Sequence, residues 1–151
     1  LKEDVDLSAP APDWGKAAVR RMGDDLVIVT YSRQVHNAMA AAEAMANNGI
    51  EATVIDLRSL NPLDFDTVRA HVERVGRAMV VSEGVMTAGV GAELSARIHE
   101  ECFDFLAEPV IRVCGEDIPI SVSVELEKNS VPTARFIQDV AQRLFADRRA
   151  A

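Results

Sequence analysis

Between residues 78 and 106 the hydrophobic period of the chain changes once, and that change limits the folds open to it. Met79-Val80-Val81 is a continuous apolar run, the pattern of a parallel strand covered on both faces. Beyond Ser82-Glu83-Gly84 and a turn at Gly89-Val90-Gly91, the apolar residues Leu94, Ile98, Cys102 and Phe105 recur at helical spacing, which puts Ser95, Arg97, Glu100 and Glu101 on the wet side. Gly89 and Gly91 allow positive φ and close backbone approach at the corner. A single strand-turn-helix unit cannot cover both faces of its own strand, so the rest of the chain must supply neighbouring strands and helices.

It does so in register. Leu26-Val27-Ile28-Val29 reads as a buried strand, followed by a helix with Val35, Ala38, Met39, Ala42 and Met45 on one stripe and Asn47-Asn48-Gly49 at its end. Residues 52–56 (ATVID) form the next strand. Asp64 is placed to cap a helix carrying Phe65, Val68, Val72 and Val75, and Gly76 stops it. Residues 109–113 make a last strand, residues 114–131 read as irregular, and Pro132-Thr133 opens a closing helix with Phe136, Ile137, Val140, Ala141, Leu144 and Phe145 on one stripe. Before the first central strand, residues 17–21 are extended, and the turn cluster Met22-Gly23-Asp24-Asp25 predicts a hairpin between the two. The expected fold is α/β, a three-layer, mostly parallel five-stranded sheet with one antiparallel edge strand. Its domain spans 15–151, and the proline-punctuated stretch 1–14, which starts at Leu1, reads as a linker from a missing N-terminal domain.

Charge narrows the partners. The chain of 151 residues carries a formal net charge of −8, a field that repels nucleic acid phosphates and anionic lipid and attracts a basic protein. No apolar run approaches the roughly 20 residues that a membrane-spanning helix needs. Neither nucleic acid nor membrane is an expected partner. Cys102 and Cys114 imply no disulfide framework, which favours a reducing compartment.

The motifs that could carry chemistry are incomplete. Gly89-Val90-Gly91 begins like a dinucleotide fingerprint but lacks the third glycine and the acidic residue for a ribose; glycines that let a helix pack closely are the better reading. His99 and Cys102 lie three apart on one helix, but His36 and His71 belong to other helices and a zinc site needs four ligands. Cys114 before Gly115 could be a nucleophile, although no histidine is placed beside it. Asp24, Asp25 and Asp56 do not have the spacing of a phosphate-accepting receiver pocket and read as a turn and a strand cap. Tyr31, Arg33, His36, Asp56, Arg58, Glu83 and Asp117 fall near the carboxyl ends of strands, the edge where open α/β sheets place function. Glu100, Glu101, Asp104 and Glu108 form an acidic run, read as either a solvated face or a dock for a basic partner.

An ordered series of short motifs resembles a known family. Gly15-Lys16-Ala17, the run from Val29 through Thr30-Tyr31-Ser32-Arg33-Gln34-Val35 to His36, and the run from Val54-Ile55-Asp56-Leu57-Arg58 to Asn61-Pro62-Leu63-Asp64 are similar to the carboxyl-terminal domain of the β subunit of 2-oxoacid dehydrogenase E1, of pyruvate, branched-chain or acetoin type. Ser82-Glu83-Gly84, the run from Gly89 to Glu93, residues 103–113, Asp117-Ile118-Pro119 and Leu126-Glu127 continue the series, which covers nearly everything after Asp13. Ser32 stands where the family often has glycine, and Ser121 where a second proline usually follows. These departures put the shape of loop 120–124 in question.

The resemblance implies a transketolase-type domain within a thiamine diphosphate enzyme that decarboxylates a 2-oxoacid and passes the acyl group to the lipoyl arm of E2. It implies that thiamine diphosphate and Mg²⁺ bind outside this chain, so no catalytic, cofactor-binding or metal residue is assigned here. The implied partners are the E1 α subunit, a second β subunit and the basic peripheral-subunit-binding domain of the E2 acyltransferase; the implied location is the cytoplasm or mitochondrial matrix. Glu100, Glu101, Asp104, Glu108 and Phe145 are the candidate docking residues. His36, Arg58 and Glu83 are candidates for an interface with a neighbouring domain. A stand-alone non-catalytic module, and the carboxyl-terminal domain of another transketolase-like enzyme such as deoxyxylulose phosphate synthase, are the alternatives.

Overall fold

The computed structural model describes Ser8, residues 11–119, Ser123 and residues 130–149. Most of the 1–14 arm, loop 120–124 apart from Ser123, and Leu126-Glu127 lie outside the described residues. The elements are β1 (Ala18–Arg21), β2 (Leu26–Thr30), α1 (Gln34–Ala46), β3 (Ala52–Asp56), α2 (Phe65–Val75), β4 (Ala78–Val85), α3 (Val90–Cys102), a 3₁₀ turn (Phe103–Phe105), β5 (Ile111–Gly115) and α4 (Ala134–Arg149).

The five strands form one sheet in the order β1-β3-β2-β4-β5. β2 pairs in parallel with both β3 and β4, and β5 is parallel to β4. Every residue of β2 and β3 is buried, as continuous apolar strands between two helical layers must be. On one face, Leu26, Ile28, Val54, Met79 and Val81 pack against Ala38, Ala42 and Met45 of α1 and Ile137 and Ala141 of α4. On the other, Val27, Val29, Ile55 and Val80 meet Val68 and Val72 of α2 and Leu94, Ile98 and Cys102 of α3. The three layers and the single antiparallel edge strand are as expected from the pattern.

The expected hairpin is not. β1 pairs antiparallel with β3, not β2, in the register Ala18 with Asp56 and Val19 with Ile55. The 22–25 turn therefore crosses the amino end of β3 before entering β2. Gly23 makes the crossing possible, because a Cβ there would lie 2.5 Å from the carbonyl of Glu51. The buried Thr53 hydroxyl donates to Gly23 O (2.6 Å) and accepts from Gly23 N–H (3.0 Å).

Local signals at α2 hold. Asp64 accepts from Thr67 N–H, and Gly76 closes the helix with φ 74°. Three other expectations are corrected. β4 does not stop with the apolar run Met79-Val80-Val81 but continues through Ser82-Glu83-Gly84 to Val85, with a register shift. α3 stops at Cys102, so the tighter 3₁₀ turn swings Phe105 out to 51% exposure, while Ser95 is buried. Phe136 is likewise outside the buried stripe of α4 at 49% exposure.

Candidate functional site

The four parallel strands end on one rim, and most of the sequence-selected polar residues lie there. Tyr31 follows β2, and its hydroxyl lies 2.8 Å from Ser82 Oγ, which in turn accepts from Gly84 N–H at 3.1 Å. Past β5, Asp117 accepts from the Thr87 hydroxyl (2.5 Å) and N–H (2.9 Å). These two bonds hold the Asp117 carboxyl below its ordinary range and tie the β5 loop to that after β4.

At the other side of the rim, β2 leads to α1 on one face of the sheet and β3 leads to α2 on the opposite face. The diverging loops open a cleft of about 480 Å³ lined by Arg20, Ser32, Val35, His36, Met39, Asp56 and Arg58. Ser32, Arg33, His36 and Asn37 line an adjoining depression. Asp56 is nearly buried and fixes the cleft: its Oδ2 accepts from Arg20 Nη2 (2.7 Å) and Nε (3.1 Å), and its Oδ1 from Arg58 N–H (3.0 Å). Its reading as a strand cap is therefore met. The structure brings His36 and Arg58 together; Glu83 lies apart on β4, beyond the cleft. Arg20 was not singled out by sequence, because its approach depends on the antiparallel register of β1.

The acidic run lies at the opposite, amino-terminal edge. Glu100 and Asp104 are exposed, and among the described residues neither has an ion pair. Glu101, by contrast, is paired with Arg69 of α2 and with Arg97, whose Nε is 2.7 Å away. Glu108 lies 3.9 Å from Arg77, and the Arg77 guanidinium sits 5.7 Å from the centre of the half-buried Phe145 ring. Two of the four acids are thus matched by cations from distant stretches of sequence, Glu101 by Arg69 and Glu108 by Arg77, besides the local Arg97. Phe103, 72% exposed, and Phe105 stand between Glu100 and Glu108 as an aromatic pair; the helix-stripe reading concealed Phe105.

The other candidate groups have structural roles. His99 donates through Nδ1 to Ser95 O (2.8 Å) and accepts Val110 N–H at Nε2, which engages both ring nitrogens and anchors the start of β5 to α3. Burial raises the Cys102 thiol, with Glu73 adding to the shift and Arg69 opposing it. Burial also raises Cys114, away from a nucleophilic thiolate. Gly91 is a close-packing glycine, since a Cβ there would meet Cys114 Sγ at 2.6 Å. Gly89 has φ −84° and does not use the positive φ open to it; it serves close backbone approach, because a Cβ would lie 2.2 Å from Val85 O. Asp24 pairs with Arg74, and Asp25 accepts from Glu51 N–H (2.7 Å), the turn role expected of them. No three His, Cys, Asp or Glu side chains converge as a metal site among the described residues.

Residues 15–137 match the family described as transketolase, C-terminal domain. The chain is 45% identical over 142 residues to the 3-methyl-2-oxobutanoate dehydrogenase subunit beta of Mycobacterium tuberculosis, an alignment covering 93% of this chain and 40% of that protein. It is 42% identical over 142 residues to the mitochondrial pyruvate dehydrogenase E1 component subunit beta-1 of Arabidopsis thaliana, covering 94% of this chain and 39% of the relative. Among solved structures, a split-gene transketolase in an inactive β4 tetramer superposes with a TM-score of 0.75 at 26% identity, over 87% of this chain and 42% of that one. The chain thus spans about two fifths of the length of these relatives.

Proposed function

Because this chain belongs to the transketolase carboxyl-terminal domain family, we propose that it is the carboxyl-terminal domain of the β subunit of a 2-oxoacid dehydrogenase E1. The enzyme would decarboxylate a 2-oxoacid on thiamine diphosphate and transfer the acyl group to lipoyl-E2. The observation that carries this reading is the 45% identity, sustained over 93% of the chain, to a named β subunit. Thiamine diphosphate and Mg²⁺ are assigned to the rest of the enzyme. The residues of the domain do not fit them: Gly91 at the start of α3 is packed against the Cys114 thiol, and among the described residues no three His, Cys, Asp or Glu side chains converge for the metal. The domain's own task is assembly with E1 α and a second β subunit, and docking of E2. No helix among the described residues is long and apolar enough to cross a membrane, which is compatible with work in the cytoplasm or mitochondrial matrix.

The docking surface is the amino-terminal edge. Glu100 and Asp104 supply charge that is not matched among the described residues, and Phe103 and Phe105 supply apolar area between them. Glu101, Glu108 and Phe145, bound up with Arg69, Arg97 and Arg77, form the fixed wall behind. The opposite rim, with His36, Arg58 and Glu83, borders the remainder of the subunit, and the cleft between the β2 and β3 loops opens at that border. Calorimetric titration of the assembled E1 with the peripheral-subunit-binding domain of E2 tests the dock. Glu100→Lys with Asp104→Lys should weaken binding at least about tenfold at low salt and flatten its salt dependence; unchanged affinity would remove these residues from the interface.

A further inference from the structure

The cleft between the β2 and β3 loops is a cationic site on an acidic protein. The chain carries a net charge of −8, yet the cleft brings Arg20 and Arg58, with the His36 ring, around one carboxylate, Asp56, and Arg33 lines the adjoining depression. That carboxylate is occupied by the Arg20 guanidinium and the Arg58 backbone N–H. It positions both arginines and leaves the Arg58 guanidinium and the His36 ring without a partner among the described residues. Among the described residues, two of the three non-glycine residues with positive φ line this one cleft, Ser32 at 56° and Arg58 at 57°. A backbone conformation that L side chains rarely adopt, repeated at two residues lining one cleft, is held by the surroundings; such outliers gather at ligand clamps. The first turn of α1 beside it contains no acidic residue and has no side-chain cap, so its positive end adds to the same field.

We propose that this cleft binds the phosphate group of a small molecule. Its donors come from different sides, with a planar guanidinium on the β3 loop, an imidazole on α1 and the Ser32 hydroxyl between them. A tetrahedral dianion can accept from all three at once, whereas a planar carboxylate engages one fork. The inference stands on the geometry of this chain alone, so its failure would leave the enzyme assignment untouched.

The test is an NMR and calorimetric titration of the chain with inorganic phosphate, with acetate as the monoanion control. Saturable binding that shifts the His36 ring and Arg58 side-chain signals, with acetate at least about tenfold weaker, is expected. Arg58→Gly deletes the guanidinium and relaxes the left-handed backbone, so this variant should melt no lower than the parent and yet bind phosphate at least about tenfold more weakly. His36→Gln should lose less, and Arg74→Gln, remote on α2, should bind as the parent does. Phosphate binding undiminished in Arg58→Gly, shifts centred elsewhere, or absence of saturation would each overturn the proposal.

Discussion

Removing the Asp64 side chain should loosen the edge strand at its entry and the start of α2 together. Asp64 is 7% exposed and connects two segments 47 residues apart. Its Oδ1 accepts from Thr67 N–H (3.4 Å) as the cap of α2, while Oδ2 accepts from the Thr67 hydroxyl (2.9 Å) and from Ala17 N–H (3.1 Å) at the entry to β1. Loss of an N-cap costs about 1 kcal/mol, and leaving the half-buried Ala17 N–H without its acceptor costs about another 1–2 kcal/mol. Lys16, 3.7 Å away but 62% exposed, adds little. Asp64→Ala should therefore lose about 2–3 kcal/mol, a fall in Tm of roughly 4–12 °C for a chain of this size. Asp64→Asn keeps one acceptor oxygen but turns an NH₂ toward one of the N–H donors, so it should fall between the two. Far-ultraviolet circular dichroism melts measure the loss, and hydrogen exchange should show β1 amides losing protection first. A Tm within about 2 °C of the parent for Asp64→Ala would refute the tie. The pH dependence gives a second check. Burial raises the Asp64 carboxyl, but the hydrogen bonds from Ala17 and Thr67 and the charge of Lys16 outweigh it and hold the group below its ordinary value. The folded state then binds fewer protons than the unfolded one, so this stabilisation is complete above about pH 4 and lost as pH falls through the depressed folded value. The gap between parent and Asp64→Asn should close over that acid range.

Two further predictions rest on packing and on burial. Gly91→Ala should destabilise, because the new Cβ would meet Cys114 Sγ at 2.6 Å; Cys114→Ala in the same chain should recover much of the loss, and a double-mutant cycle showing no coupling would refute the contact. His71 is held below its ordinary value by burial and then by the Arg74 charge, so the unfolded state takes up protons first and the contribution of His71 to stability declines as pH falls below about 6.5. His71→Gln should flatten the stability profile measured by urea unfolding between about pH 7 and 5, and an unchanged slope would count against this account.

Local chemistry carried the elements, and distant pairing decided what the sequence concealed. α2 was readable from end to end, because an Asp cap, four apolar residues at helical spacing and a left-handed glycine are all short-range signals. The partner of β1 was not. A four-residue turn fits either a hairpin or a step across one strand, and the choice lies with Thr53, some 30 residues from the Gly23 backbone it holds. The paired family motifs Gly15-Lys16-Ala17 and Pro62-Leu63-Asp64 acquire a physical meaning only in the folded chain, where Ala17 N–H and Lys16 reach Asp64 and a Cβ on Gly15 would lie 2.7 Å from Pro62. The candidate site divides in the same way. His36 and Arg58 could be placed at the carboxyl rim from their position after strands, but Arg20 joins them only through the register of β1. Arg97 with Glu101 is an i,i+4 pair that sequence displays, whereas Arg69 comes from a separate helix.

The charges at the two edges run against what the helices would select for their own stability. A helix favours acids at its amino end and bases at its carboxyl end, each worth about 0.3–1 kcal/mol. α1 begins with Arg33 and no acid in its first turn. α3 ends with Glu100 and Glu101 and is followed by Asp104, with His99 as the one base of its last turn. Arg69 and Arg97 offset the misplaced charge of Glu101, but among the described residues nothing offsets Glu100 or Asp104, and the same holds for the side chains of His36 and Arg58 at the other edge. Helix stability therefore does not account for these four residues, and what they have in common is an outward-facing position at one edge of the sheet or the other. An external group of opposite charge would relieve both conflicts, a basic domain at the end of α3 and an anion at the start of α1. The two sites would then strengthen as the domain engages its ligands, and each should raise its melting temperature independently of the other.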